Sequence, residues 1–267
     1  MARLSWGGAG TRLYEAGVDR GVLYVGENAG VPWNGLKTVT ESSSGGDVRV
    51  AHIDGVKYLN IAKNEDFEAT IEAFYSPKEF DACDGMLPLE QGLWATQQRR
   101  QPFGLSYRTL IGSDTKGINH GYKIHLVYNA IASPSQRTHN TLSEVADAGA
   151  LSWALTAKPV RWPGVKPTAH LIIDSTSVDP ILLDQLENII YGTDEEAARL
   201  PYPAELQELF IEYYDDIVVA LVEVGDGLYD ISSVNGRIIA LSPDLYQITS
   251  RYVEDLGNGL YQITSSV

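Results

Sequence analysis

Phe103-Gly-Leu-Ser-Tyr-Arg-Thr-Leu-Ile-Gly112, followed after a polar turn by Gly121-Tyr-Lys-Ile-His-Leu-Val-Tyr-Asn-Ala-Ile-Ala132, carries the pattern that decides the fold. In the first half Phe103, Leu105, Tyr107, Thr109 and Ile111 fall on one side of an extended chain, and Gly104, Ser106 and Arg108 on the other, the period-two signature of a half-buried strand. In the second, Tyr122, Ile124, Leu126 and Tyr128 alternate with Lys123, His125 and Asn129. Gly112-Ser-Asp-Thr-Lys-Gly117 supplies turn chemistry between them. The pattern predicts two paired strands with one buried face and one wet face, the wet face carrying Ser106, Arg108, Lys123, His125 and Asn129.

The same grammar extends outward. Val22–Val25, 36–42, 48–53, 56–61, 67–75, 151–156 and 169–173 read as further strands, and Asp54-Gly55 between two short apolar runs is a hairpin signal. In the stretch from Phe67, residues Phe67, Ala69, Ile71, Ala73 and Tyr75 face one way and Glu68, Thr70 and Glu72 the other. Ser42-Ser-Ser-Gly-Gly46 reads as a flexible loop. One helix is predicted after Asp179: that residue can cap, Pro180 suits the first turn, Leu182, Leu186, Ile189 and Ile190 form a stripe, and Gly192 ends it. A shorter helical turn is expected at 204–210.

Beyond Asp215 three related segments follow, Gly225-Asp-Gly-Leu-Tyr-Asp-Ile, Pro243-Asp-Leu-Tyr-Gln-Ile and Asn258-Gly-Leu-Tyr-Gln-Ile, an internal repeat of hairpin-like units. Units this short cannot bury an apolar face alone, so a small β appendage of stacked units is expected. The expected division is a β domain at 1–214 and an acidic three-repeat decoration at 215–267.

With 267 residues, 44% hydrophobic and 21% charged, the chain is long enough for a sizeable core and is globular in composition. Its net charge of −15 is localised, because residues 171–267 hold 18 of the 35 Asp and Glu but 3 of the 20 Lys and Arg. That excludes a phosphate-gripping surface there. It fits either a solubilising face or a segment that must not adhere to polyanions. A single cysteine rules out an intrachain disulfide. No apolar run suits a signal peptide or a membrane helix, so a soluble protein made in cytoplasm is expected, with no membrane insertion.

Chemistry is sparse. The five histidines, at 52, 120, 125, 139 and 170, show no paired-ligand spacing and read as structural or surface residues. Cys83 lies between Asp81 and Asp84, carboxylates that disfavour a thiolate, and reads as a small packed hydrophobe. Asp81, Asp84 and Gly85 miss the spacing of a calcium loop. Nucleophile-elbow, Walker and dinucleotide patterns do not occur. The expectation is no catalytic residue, no cofactor and no metal.

Trp33-Asn-Gly-Leu36 with Thr38-Val-Thr-Glu41, Glu68-Ala-Thr-Ile-Glu-Ala73, Cys83-Asp-Gly85, the 103–135 block, Asp174-Ser-Thr176 and Leu200-Pro201 occur in an order that resembles the major tail tube protein of long-tailed, non-contractile phages (siphoviruses), particularly the actinobacteriophage type. The resemblance covers roughly Val31 to Phe210. It implies a mainly β fold, a tail-tube-type β-sandwich flanked by one α-helix, with the C-terminal β-repeat appendage added. It further implies a structural virion protein, not an enzyme, that forms homohexameric rings stacked into a hollow tail tube through which genome DNA is ejected. The implied partners are other copies of the chain, a tape measure protein in the lumen, tail terminator and distal tail proteins at the ends, and DNA in transit without tight binding. The implied location is the virion tail, assembled in the host cytoplasm. By position the ring-stacking loop is 42–66, with Ser42, Ser43, Ser44, Gly45, Gly46 and Asp66 as its candidates. Phe103, Ser106, Arg108, Lys123, His125 and Asn129 are the candidates for strands that meet a neighbouring subunit or the lumen. A β-rich carbohydrate-binding module, drawing on 15 Tyr and 5 Trp, is the alternative.

Overall fold

The computed structural model describes residues 6–45, 48–54, 56–62, 65–134, 137, 150–162, 164–215, 219–225, 228–233, 238–242, 245–248, 253–257 and 260–263. The elements in order are β1 (Leu13–Tyr24), β2 (Val31–Pro32), β3 (Leu36–Gly45), β4 (Val48–Ile53), β5 (Val56–Ala62), β6 (Glu65–Ala73), β7 (Leu87–Glu90), β8 (Leu93–Ala95), β9 (Phe103–Ser113), β10 (Gly117–Ala132), β11 (Leu151–Ala157), β12 (His170–Asp174), α1 (Pro180–Tyr191) and α2 (Pro203–Asp215). Six short strands follow: β13 (Val219–Gly225), β14 (Leu228–Ser233), β15 (Ile238–Ser242), β16 (Leu245–Ile248), β17 (Val253–Gly257) and β18 (Leu260–Ile263). The protein is mainly β and antiparallel. It separates into two compact units, Met1–Pro201 and Tyr202–Val267. The expected boundary at 214/215 falls at the end of α2, within the second unit.

The first unit is organised by β10. Its pairing with β9 shifts between Val127 and Ala130, and across that bulge Asn129 takes a left-handed φ of 48°. Before the bulge β10 pairs with β12 (Val127↔His170), and after it with β11 (Ala130↔Ala157). One eight-stranded sheet, in the order β2-β1-β9-β10-β11-β6-β3 with β12 also on β10, thereby folds into two facing layers. Between the layers lie Leu23, Leu105, Tyr107 and Val127 from one side and Ile71, Trp153 and Leu155 from the other. A single-turn 3₁₀ helix at Lys78–Phe80 plugs one end. Phe80 packs edge-on against Phe103 and Trp153 at 5.3 and 5.2 Å, and Trp33 lies 4.7 Å from it.

The helix forms as its sequence predicts. Asp179 accepts a hydrogen bond from Ile181 N at 2.9 Å, Pro180 opens the first turn, and Leu182, Leu186 and Ile190 are buried. Gly192 closes it at φ 79°, where a Cβ would lie 2.7 Å from Ala198 N. Among the described residues two α-helices are present where one with a shorter turn was expected, because the 204–210 turn extends over the whole of Pro203–Asp215.

The hairpin of β9 and β10 shows how far alternation alone can mislead. Tyr107 pairs with His125 and Ser106 with Leu126, so the apolar stripe of β9 and that of β10 lie on opposite faces of the sheet. Over Phe103–Tyr107 and Ile124–Tyr128 neither face is wet. The second layer covers Phe103, Leu105, Tyr107 and His125, whereas Gly104, Ser106, Ile124 and Leu126 are buried on the face where the Tyr24 hydroxyl bonds Ile190 O of α1 at 2.7 Å. Gly104 makes room there for the Leu200 side chain, whose Cδ2 would lie 2.5 Å from a Cβ at this position.

The repeats of the second unit are three hairpins, β13–β14, β15–β16 and β17–β18, each its own two-stranded sheet. Leu228, Leu245 and Leu260 each open the second strand. Their turn residues, 226–227, 243–244 and 258–259, lie outside the described residues.

Candidate assembly surfaces

Ser42, Ser43, Ser44 and Gly45 are not a loop. They continue β3, paired in register with Glu68, Phe67, Asp66 and Glu65 of β6. A polar run can do this because it sits at the margin of the sheet, where side chains reach water, and because Ser44 Oγ donates to Glu68 Oε1 at 2.6 Å across the pair. Gly46 lies outside the described residues. Beyond it, β4 and β5 form a hairpin in register from Val48↔Ala62 to Ile53↔Val56, and Gly55 of the expected Asp54-Gly55 turn lies outside the described residues. The described residues of 42–66 are thus mostly strand rather than coil. Val56 and Tyr58 on it are 68% and 71% exposed, and Leu59 is exposed beside them.

Sheet edges are the second surface. Among the described residues β3 is hydrogen-bonded on one side only, to β6, with regular register from Thr38 to Gly45. At the other end β2 covers only Val22 and Leu23 of β1, leaving Leu13 to Arg20 bonded to β9 alone. Open edges of this length recruit further strands unless blunted by charge, proline or bulges. β1 carries two register shifts, whereas β3 beyond Thr38 carries none. A further apolar surface, missed in the sequence, is the β7–β8 hairpin, on which Leu87, Leu89, Leu93 and Trp94 are all exposed. Its signal was present as an alternating Leu-Pro-Leu-Glu run before Gly92.

The candidate strand residues divide into three groups. Phe103, Ser106 and His125 are buried; Phe103 lies on the apolar face as its alternation predicts, whereas burial of Ser106 at 0% and His125 at 3% corrects the wet-face expectation for those two, which are covered on both sides. The Ser106 and Tyr24 hydroxyls bond each other at 3.1 Å. Arg108 and Lys123 reach the surface but are engaged. Arg108 makes a bidentate pair with Asp19, its cross-strand partner, at 2.7 and 2.6 Å, and lies 4.6 Å over the Tyr122 ring. Lys123 is bonded to Glu15. Asn129 alone of the six is exposed, on the β10 bulge.

Around His125 the structure gathers residues that are far apart in sequence. His125 Nδ1 lies 3.0 Å from His170 Nε2 and 3.2 Å from Glu41 Oε1, and its Nε2 lies 3.0 Å from the Thr109 hydroxyl. Glu41 Oε1 also accepts the Tyr107 hydroxyl at 2.7 Å, and Glu41 Oε2 lies 3.8 Å from His170 Nδ1. Burial pushes His125 down to about 4, with Glu41 opposing, and lowers His170 for the same reason, so both rings are neutral at pH 7. Spacing along the chain could not reveal this group. It depends on β12 pairing with β10, which sets His170 opposite Val127 and diagonal to His125, and on β3 crossing from the other layer.

Burial and the Asp84 charge push the Cys83 thiol up to about 12. Asp84 bonds Arg100, at 3.1 Å, and Arg137. A cleft of about 590 Å³ lies beside β1 and β2, with Asp19, Arg20, Trp33, Asn34 and Tyr191 on its wall. Trp33 is only 2% exposed and donates its indole N–H to Tyr75 O at 3.0 Å, so it presents no open ring face to a sugar.

No family model and no curated protein matches the chain. Among solved structures it is similar to a chain of the sheath–tube complex of PVC, an extracellular contractile injection system, in its extended state, with 14% identity over 58% of this chain and 88% of that one, at a TM-score of 0.30. It is also similar to a chain of the sheath/tube terminator of the same system, with 15% identity over 60% and 97% at a TM-score of 0.31. A third is the anti-feeding prophage tube-terminating cap, with 12% identity over 58% and 89% at a TM-score of 0.27. A likeness of this size does not by itself assign a role.

Proposed function

We propose that the chain is a structural tail tube protein of a long-tailed phage, assembling as hexameric rings that stack into a hollow conduit for genome DNA. The observation that carries this reading is the long, regular and unguarded edge of β3, together with the open first half of β1 at the other end of the same sheet. Two different edges on one subunit support head-to-tail pairing between copies, a heterologous contact that closes into a ring when the rotation permits. The β4–β5 arm, with Val56, Tyr58 and Leu59 exposed, is the contact between rings.

The charged candidates fit a conduit. Arg108 and Lys123 are paired with Asp19 and Glu15, so neither is a free cation that would hold a passing duplex by counterion release. The role is non-catalytic. The tape measure protein would occupy the lumen during assembly, terminator and distal tail proteins would cap the ends, and the acidic residues 215–267 would decorate the outer surface. Negative-stain electron microscopy of the purified chain tests the reading. Rings or hollow tubes are expected, and dispersed monomers at every concentration would refute it.

A further inference from the structure

We propose that Glu41, His125 and His170 form a binding site for one zinc-class divalent transition-metal ion, fastening β3 of one layer to β10 and β12 of the other. The three side chains offer ligand atoms that all lie within 4.8 Å of one another. An ion held at about 2.0–2.1 Å by tetrahedral ligands sets its donor atoms about 3.3 Å apart. The separations from His125 Nδ1, 3.0 Å to His170 Nε2 and 3.2 Å to Glu41 Oε1, are within a few tenths of an ångström of that spacing, and a rotation of the partly exposed Glu41 carboxylate toward His170, now 3.8 Å away at its nearest, completes the set.

Proton counting points the same way. His125 Nδ1 faces two acceptor-capable atoms but carries at most one hydrogen. If it donates to Glu41, the His170 Nε2 contact at 3.0 Å is left without a hydrogen from His125. If it accepts from His170, its lone pair faces the carboxylate oxygen at 3.2 Å. A cation at the centre resolves the conflict by accepting all three lone pairs. Two neutral imidazoles and one carboxylate are donors suited to zinc, cobalt or nickel rather than to calcium or magnesium.

The surroundings have the form of a supporting shell. Thr109 holds the second nitrogen of His125 at 3.0 Å, and Tyr107 holds the liganding oxygen of Glu41 at 2.7 Å. Glu41 is partly exposed, which provides an entry path and a fourth position for water. The inference does not depend on the tube assembly.

The test uses the full-length, tag-free protein, stripped with a chelator and titrated with Co²⁺ and then Zn²⁺. The expected result is visible d–d absorption of low-coordinate cobalt saturating at one equivalent, its loss on adding zinc, and a melting temperature that rises with zinc concentration by mass action. Glu41→Gln and His170→Asn should abolish the cobalt signal, Thr109→Val should weaken binding about tenfold or more, and His120→Asn, on the same strand outside the cluster, should leave it intact. Far-UV circular dichroism checks that each variant folds, and the wild-type titration decides the matter even where one does not. Absence of a stoichiometric cobalt signal in the wild type would overturn the proposal. So would an undiminished signal in folded Glu41→Gln and His170→Asn, which would place the ion elsewhere.

Discussion

At the scale of single residues, the helix cap and the buried aromatics are the sharpest tests of the first unit. Asp179→Ala removes the acceptor for Ile181 N and should lower stability by about 1 kcal/mol in chemical denaturation. Trp153, fully buried between the layers against Trp33 and Phe80, should cost about 3–5 kcal/mol when truncated to alanine. Cys83 gives a chemical readout. Its thiol is buried and titrates well above the ordinary range, so at pH 8 it carries almost no thiolate in the native state. Native protein should resist iodoacetamide at that pH under conditions that fully label the chain unfolded in guanidinium. Rapid native labelling would mean that the end of the sandwich around Phe80 is open.

At the scale of elements, the sequence was informative wherever structure is set locally. Pro180, the Leu182/Leu186/Ile190 stripe and Gly192 specified α1, because caps depend on a few adjacent side chains, and the hairpin signal between 53 and 56 agrees with the pairing of Ile53 with Val56. Gly192→Ala should be destabilising by about 1–3 kcal/mol, since φ 79° with an extended ψ of 169° is essentially a glycine conformation. Coverage was not legible in the same way. Alternation sorted the side chains of β9 and of β10 correctly within each strand, yet it could not show that the apolar stripes would fall on opposite faces of the sheet, nor that a helix would cover one face and β3 and β6 the other. Ser106 and His125 were therefore read as wet. The Ser42–Gly45 run was read as coil because its composition favours loops, whereas pairing with β6 makes it strand. The cluster of Glu41, His125 and His170 is illegible for a related reason: its members come from three strands and meet only through tertiary pairing. The edge of β3 supports a further expectation. Thr40→Lys with Ser42→Lys adds guarding charge to an exposed edge face, and should abolish assembly while leaving the circular dichroism spectrum and melting of the monomer unchanged.

At the scale of the whole molecule, the account joins a sheet with two unlike open edges, a hairpin with exposed apolar side chains and a charge imbalance confined to the C-terminal third. If residues 215–267 are decoration, the chain ended at residue 214 should still form tubes, thinner in projection and less acidic. The central claim is edge-to-edge assembly of this chain with itself, and electron microscopy of the purified full-length protein over a concentration series tests it most directly. The account predicts six-fold rings at low concentration that stack into hollow tubes of constant diameter as concentration rises. Single particles of monomer size throughout the series would contradict it.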